Sequence, residues 1–282
     1  MSKLYIVPTP IGNLGDISVR CRKTLAEADF IAAEDTRVSM KLLNHFGVKK
    51  PLISYHEHNH VAAGQSVLNR LLAGESCALM TDAGTPAISD PGEDLVRLCA
   101  ENGVEARAIP GCCAAVNALA VSGLPTGRFT FEGFLTVNKK SRREHLNSLK
   151  GETRTMIFHE APHKLRTTLN DLTEAFGPDR RISLCRELTK LHEEIWKTTL
   201  GEAVEHYRAA EPRGEYVLVM AGAPAGAAEE EELTLEQAAQ RAFALTIEGF
   251  SASAAAKAAA QGTTYSKGEV YKQLLLLQQT AE

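Results

Sequence analysis

No apolar run in this 282-residue chain approaches the length needed to cross a membrane. The opening MSKLYIVPTP carries one lysine and an apolar stretch too short for the core of a signal peptide. A cytoplasmic protein with no membrane partner is therefore expected. Six cysteines are present, yet no two are spaced Cys-x-x-Cys, and Cys112 and Cys113 are adjacent. That pattern suits buried thiols in a reducing compartment, not a disulfide framework. Strong net charge is also missing: the formal value is -4, so a polyanion can be held only at a local basic patch. Neither a Walker A loop nor a Gly-x-Gly-x-x-Gly fingerprint occurs, which removes the commonest phosphate and dinucleotide cradles.

Apolar residues make up 44% and charged residues 23%, as in an ordinary globular protein, and the length is comfortable for two domains. Short apolar runs at 4–7, 30–33, 52–55, 77–81 and 104–109 read as strands. Helical patterns alternate with them at 18–28, 37–46, 61–73 and 112–121. Asp90-Pro91-Gly92-Glu93 reads as a further helix start, with Asp90 as cap and Pro91 at the first helical position. Strand, loop and helix repeated in this way imply an α/β fold with substantial parallel character.

The pattern breaks at SGLPTG, around Gly123–Gly127, and then resumes. This gives one α/β domain over 1–124 and a second over 125–222. An acidic low-complexity linker is expected over 223–232 and a helical tail over 233–282. Capping boxes at Thr234-x-x-Gln237 and Ser266-x-x-Glu269 frame three short helices in the tail. They fit a helix-turn-helix-like module and a plain packing bundle equally well.

In an open α/β sheet, ligands bind at the carboxyl ends of the strands. The stretch TDAGTPAISDPG, from Thr81 to Gly92, falls there. Its prolines pin the backbone, and Gly84 allows close approach to the main chain. PTPIGN, PGCC and FLT should reach the same edge. HEHNH, at His56–His60, suits polar substrate contacts or a solvated loop better than a metal, since no cysteine partners it. Glu34-Asp35-Thr36-Arg37 is either a helix cap or a carboxylate and guanidinium placed to orient a hydroxyl or phosphate. FHEAPH and RELTK end two strands of the second half. Six cations fall between Lys139 and Arg154, straddling a helix start read from Ser141-x-x-Glu144. They form either a solvated face or an RNA phosphate contact.

Taken in order, LYIVPTPIGNLGDIS, AAEDTR, SYHEHN, TDAGTPAISDPG, IPGCCAA, FEGFL, FHEAPHK, RELTK and GEYVLVM resemble the bacterial small-subunit ribosomal RNA 2′-O-ribose cytidine methyltransferases. These belong to the tetrapyrrole-methylase-like group. Thr81 and Ala87 stand where Ser and Gly are expected. The resemblance implies two α/β domains with S-adenosylmethionine in the cleft between them, and a homodimer. It implies cofactor contacts from Pro10, Ile11, Asp82, Ala83, Gly84, Thr85, Ile88, Cys113, Ala114, Phe134, Leu135, Glu160 and Lys190. The substrate would be small-subunit ribosomal RNA within the assembled subunit.

Methyl transfer to a ribose hydroxyl needs alignment and a place for the proton. Asp35 is the candidate base or orienter, Arg37 the phosphate or ribose clamp, and His56 and Asn59 further polar contacts. Glu187 and Lys190 are reserves. Lys139, Lys140, Arg142 and Arg143 would hold RNA phosphates. A methyltransferase for a small tetrapyrrole-type molecule, or an RNA-binding protein without catalysis, are the rival readings.

Overall fold

The computed structural model describes residues 2–224, 234–261 and 263–280. Residues 1–222 form one compact unit, and residues 223–282 a second. The first half of the larger unit runs β1 (Lys3–Ile6), α1 (Val19–Glu27), β2 (Phe30–Ala33), α2 (Thr36–His45), β3 (Leu52–Ser54) and α3 (His60–Leu72). It continues through β4 (Cys77–Met80), α4 (Glu93–Glu101), β5 (Glu105–Ala108) and α5 (Ala114–Val121). The strands order as β3-β2-β4-β1-β5, and every pairing is parallel. FIAA in β2 and CALM in β4 are buried throughout, as expected of strands covered by helices on both faces. Alternate residues serve opposite cores. Phe30 and Ala32 pack with Leu68, Leu71 and Leu95, whereas Ile31 and Ala33 pack with Leu25 and Leu43.

The second half holds β6 (Phe129–Phe134), α6 (Lys139–Ser148), β7 (Thr155–Glu160), α7 (Pro162–Phe176) and β8 (Arg181–Arg186). It closes with β9 (Glu194–Thr199), α8 (Leu200–Ala209) and β10 (Tyr216–Met220). Their order is β6-β7-β10-β8-β9. Only β6 and β7 are parallel, and the other three pairings are antiparallel. Strict βαβ repetition therefore stops at the first sheet. One face of the second sheet carries Met156, Phe158, Leu184 and Leu218 against Leu165, Leu169 and Leu200. The opposite face carries Ile157, Val217 and Val219 against Ala115, Ala118 and Leu119 of α5. Helix α5 thus follows the last strand of the first sheet but covers the second, which draws the two sheets together.

Two helix starts differ from their sequence reading. Helix α4 begins at Glu93 with Gly92 as its N-cap, so Asp90 caps nothing and Pro91 lies before the helix. Helix α6 begins at Lys139, where the Asn138 side chain accepts from the amides of Lys140 and Ser141, and Ser141 lies inside the first turn. The stretch before α4 is bent hard: Ala87 (φ 68°), Ser89 (φ 62°) and Gly92 (φ 140°) all have left-handed backbone. A Cβ on Gly92 would lie 2.7 Å from Cδ2 of Leu79, which is buried in the core. Gly92→Ala should therefore lower stability by about 2 kcal/mol, from overpacking and backbone strain together. An unchanged urea midpoint would contradict this.

In the smaller unit, α9 (Leu235–Ile247), α10 (Ala252–Ala260) and α11 (Lys267–Thr280) close a core of Ala238, Ala242, Ala255, Ala256, Ala259, Val270 and Leu274. Both capping boxes form: Thr234 with Gln237, and Ser266 with Glu269. Of the acidic stretch expected at 223–232, residues 225–232 lie outside the described residues. Among the described residues, no helix is long and apolar enough to cross a membrane.

Candidate active site

Because the first sheet is parallel, the loops after β1, β4 and β5 leave from one edge. Hydrogen bonds tie them together. Thr9 and Gly84 exchange backbone bonds, Thr9 N to Gly84 O at 2.9 Å and Gly84 N to Thr9 O at 3.1 Å. Thr9 Oγ1 donates to Thr81 O at 3.1 Å, and Thr85 Oγ1 donates to Cys112 O at 2.7 Å. Gly84 has φ 85°, which L side chains rarely adopt.

This edge borders a cavity of about 400 Å³. Ile11, Ala83, Gly84, Thr85 and Ile88 line it from the first sheet, and Cys113 and Ala114 from the start of α5. Phe134, His159, Glu160, Leu188, Lys190 and Tyr216 line it from the second. The sheets meet closely beside it: a Cβ on Gly12 would lie 2.3 Å from Cγ of Lys190.

The second-sheet wall is held by its own network. Lys190 Nζ donates to Glu187 Oε1 and to Glu215 Oε2, each at 2.8 Å. Glu187 (φ 51°) and Thr189 (φ 67°) are kept in left-handed backbone by this turn. Glu160, only 4% exposed, accepts from Thr168 Oγ1 and from the amide of Ala161. His159 stands edge-on to Phe131 and Phe134, at 5.2 and 5.4 Å between ring centres. Burial lowers its pKa and keeps the ring neutral, and its buried Nε2 has no hydrogen-bond partner. A buried imidazole nitrogen on a cavity wall is poised for a ligand.

The residues expected from sequence divide clearly. Ile11, Ala83, Gly84, Thr85, Ile88, Cys113, Ala114, Phe134, Glu160 and Lys190 line the cavity. Pro10, Asp82 and Leu135 do not. Pro10 is buried beside the Thr9–Gly84 bridge, and Leu135 is 4% exposed within the second core. Asp82 accepts from the amide of Asp35 at 3.3 Å and so joins the loops after β2 and β4.

The four expected catalytic groups lie outside the cavity lining. Asp35 caps α2 and grips Arg37 through two contacts, at 3.0 and 2.6 Å. Hydrogen bonds from Arg37 hold the Asp35 carboxyl far below the usual carboxylate range, which makes it a poor base. Asn59 is used locally, accepting from His56 N at 2.9 Å and donating to Ser54 O at 3.0 Å. His56 leaves Nδ1 buried without a partner. His60 turns away to Asp94, so the three histidines do not converge, and no metal-holding group of three occurs among the described residues.

Sequence reasoning missed Asp90 and did not single out His159 as a site group. Asp90 lines the cavity, and its carboxyl is pushed up to about 7 by burial and then by the charges of Glu34 and Asp82. Burial likewise raises Glu34 and Asp82 themselves. Only His159, at the end of β7 beside Glu160, left a signal that sequence could have carried further. Of the basic run, Lys140 and Arg143 are 86% and 76% exposed. Arg142 is not: it is 8% exposed, with Nε on Asp171 Oδ2 at 2.5 Å and Nη2 on Thr168 Oγ1 at 2.8 Å. It is thereby removed from the set of phosphate-binding candidates.

Two α/β sheets with tied strand-end loops around a cavity define a class, and residues 3–204 match the profile of the tetrapyrrole (corrin/porphyrin) methylases. The chain belongs to that family. Within it stand closely similar relatives named ribosomal RNA small subunit methyltransferase I. One from Synechocystis sp. is 50% identical over 223 residues, covering 79% of this chain and 80% of the relative. One from Escherichia coli O157:H7 is 42% identical over 275 residues, covering 97% and 94%. The fold is shared with the uroporphyrin-III C-methyl transferase of Thermus thermophilus, solved in complex with S-adenyl homocysteine. It aligns with a TM-score of 0.53 at 17% identity, over 78% of this chain and 97% of that one.

Proposed function

We propose that this protein transfers a methyl group from S-adenosylmethionine to the ribose 2′-hydroxyl of a cytidine in small-subunit ribosomal RNA. The observation that carries the reading is the cavity between the two sheets, with its tied glycine loop and the unpartnered His159 Nε2. Its volume of about 400 Å³ suits a nucleoside-sized ligand. Ile11, Ile88, Phe134 and Leu188 offer apolar surface to a base and a thioether chain, and the 83–85 backbone can be approached closely. His159 supplies a neutral hydrogen-bonding nitrogen, and Lys190 a cation fixed by two carboxylates.

When bound, S-adenosylmethionine supplies a methyl group already activated by its cationic sulfur. The protein's task is alignment, exclusion of water and removal of a proton. RNA would be met at the start of α6, where Lys139, Lys140 and Arg143 remain available. A groove of about 580 Å³ between α6 and α7 adds Lys150 and Lys164. The same reading takes the working form as a cytoplasmic homodimer acting on the assembled subunit, as the resemblance of the chain implies.

Calorimetry should show S-adenosylmethionine binding, weakened at least tenfold by His159→Ala. Mass spectrometry of ribosomal RNA from a strain lacking the protein should show one ribose methyl group missing. Unchanged ribose methylation would overturn the proposal.

A further inference from the structure

A second cavity, of about 520 Å³, adjoins the first. Glu57 and His60 line it from the end of the loop after β3 and the start of α3, and Asp94 and Arg97 from the first turns of α4. Its remaining wall is the left-handed loop before α4. Ser89 and Asp90 of that loop line both cavities. The first chamber is walled largely by apolar side chains, whereas charged groups dominate the second.

We infer that the second cavity receives the target nucleotide and that Asp90, common to both cavities, takes the proton of the ribose 2′-hydroxyl. The inference rests on the methyl-transfer reading above. An acceptor that attacks a bound methyl donor in line, opposite the departing sulfur, must approach from a neighbouring chamber, and the residues shared by the chambers mark where the two meet. Glu57 offers a carboxylate to an exocyclic amino group such as that of cytosine, and Arg97 a guanidinium to an adjoining phosphate.

Three other acids of the two linings are engaged, and the remaining two, Glu57 and Glu93, line only the second cavity. Glu160 is held by Thr168 and a backbone amide, Glu215 by Lys190, and Asp94 by Tyr55 and His60. Asp90 has Thr81 as a hydrogen-bond partner, and the charges that act on it most are the carboxylates Glu34 and Asp82. Such surroundings make its ionised form a stronger proton acceptor than an ordinary aspartate. In the step, the 2′-oxygen bonds to the methyl carbon as the carbon–sulfur bond breaks. The bonding pair leaves with sulfur as a neutral thioether, and the hydroxyl proton passes to the Asp90 carboxylate.

The test uses the full chain and small ribosomal subunits from a strain lacking it. Asp90→Asn should lower kcat by about 10²- to 10⁴-fold, with S-adenosylmethionine affinity by calorimetry and subunit affinity by filter binding both within about threefold of wild type. Glu57→Gln combined with Arg97→Ala should weaken subunit binding about tenfold and leave cofactor affinity unchanged. Wild-type turnover by Asp90→Asn would remove Asp90 as the base. Wild-type subunit binding by the double variant would remove the second cavity as the nucleotide site. A wild-type protein that neither binds the cofactor nor methylates subunits would overturn the underlying reading, and this inference with it.

Discussion

Arg142→Glu is expected to lower the unfolding free energy by about 3–5 kcal/mol, the cost of breaking a largely buried ion pair from one side. Arg142 lies in the middle of a basic run but faces inward, onto Asp171 and Thr168. Thr168 in turn donates to Glu160, a wall of the first cavity. A glutamate at 142 would bring a second carboxylate to Asp171 and leave Thr168 without its donor. Asp171 is one-third exposed, so the lower part of the range is expected. Its neighbours behave oppositely. Lys139→Glu, Lys140→Glu and Arg143→Glu together should shift stability by less than about 1 kcal/mol, since the ion pairs of Lys140 with Glu144 and of Arg143 with Glu174 are solvated. The triple variant should instead flatten the salt dependence of ribosomal RNA binding, by roughly 0.7–0.9 in log–log slope per lost phosphate contact. Urea unfolding followed by Trp196 fluorescence, with binding titrations in salt, separates the two effects. An Arg142→Glu variant as stable as wild type would show that the inward pairing is wrong.

Asp90→Asn should make the cofactor-free protein more stable at pH 8 while removing activity. In the fold the Asp90 carboxyl titrates at about 7, against 3.8 ordinarily. Below about 4 it is protonated in folded and unfolded chains alike, and burial carries no charge penalty. Between about 4 and 7 the unfolded chain has released its proton while the folded chain still holds it, so stability falls across that window and levels off once the folded carboxyl has also ionised. A displacement of this size would be worth about 4 kcal/mol at full strength. Asp90 is only half-buried, and solvent screening reduces the expected gain to about 1–2 kcal/mol. Glu34 and Asp82 face it from the ends of β2 and β4 and add to the same trend. His60, Asp94 and Arg97 lie across the second cavity, Lys190 and His159 across the first, and asparagine leaves these in place. Denaturation at pH 4, 6 and 8 should show the two proteins converging at the acid end. A variant less stable than wild type at pH 8 would refute the assignment. Stability given up at one loop, where backbone strain also gathers at Ala87 and Ser89, is a usual mark of a working site.

The elements and the cavity-lining loops were legible because their causes are local. Glycines, prolines and apolar runs place the loops after β1, β4 and β5, and parallel strands bring those loops to one edge. Misreadings arose where a distant partner decides. Asp90-Pro91-Gly92-Glu93 has the grammar of a helix start, yet its surroundings are set by Glu34 and Asp82, which arrive on other strands. Asp35 looked free to act as a base, but its own neighbour Arg37 takes both of its oxygens. Arg142 looked like one more surface cation because composition does not reveal which way a helix faces. The antiparallel half of the second sheet was hidden for a related reason: strand direction follows from pairing, and β8, β9 and β10 carry no mark of it.

The two sheets also dictate an order of assembly on the ribosome. Strand β1 is made first but sits inside its sheet, with Leu4 opposite Cys77 and Lys3 opposite Glu105. At about 5–20 residues per second, the N-terminal strand waits roughly 5–20 s for its second neighbour to be synthesised. Strand β10 is the reverse case, made last in its sheet and inserted between β7 and β8. Until it arrives, both neighbours present open edges to other nascent chains. A long-range topology of this kind favours slow folding and an early need for chaperones.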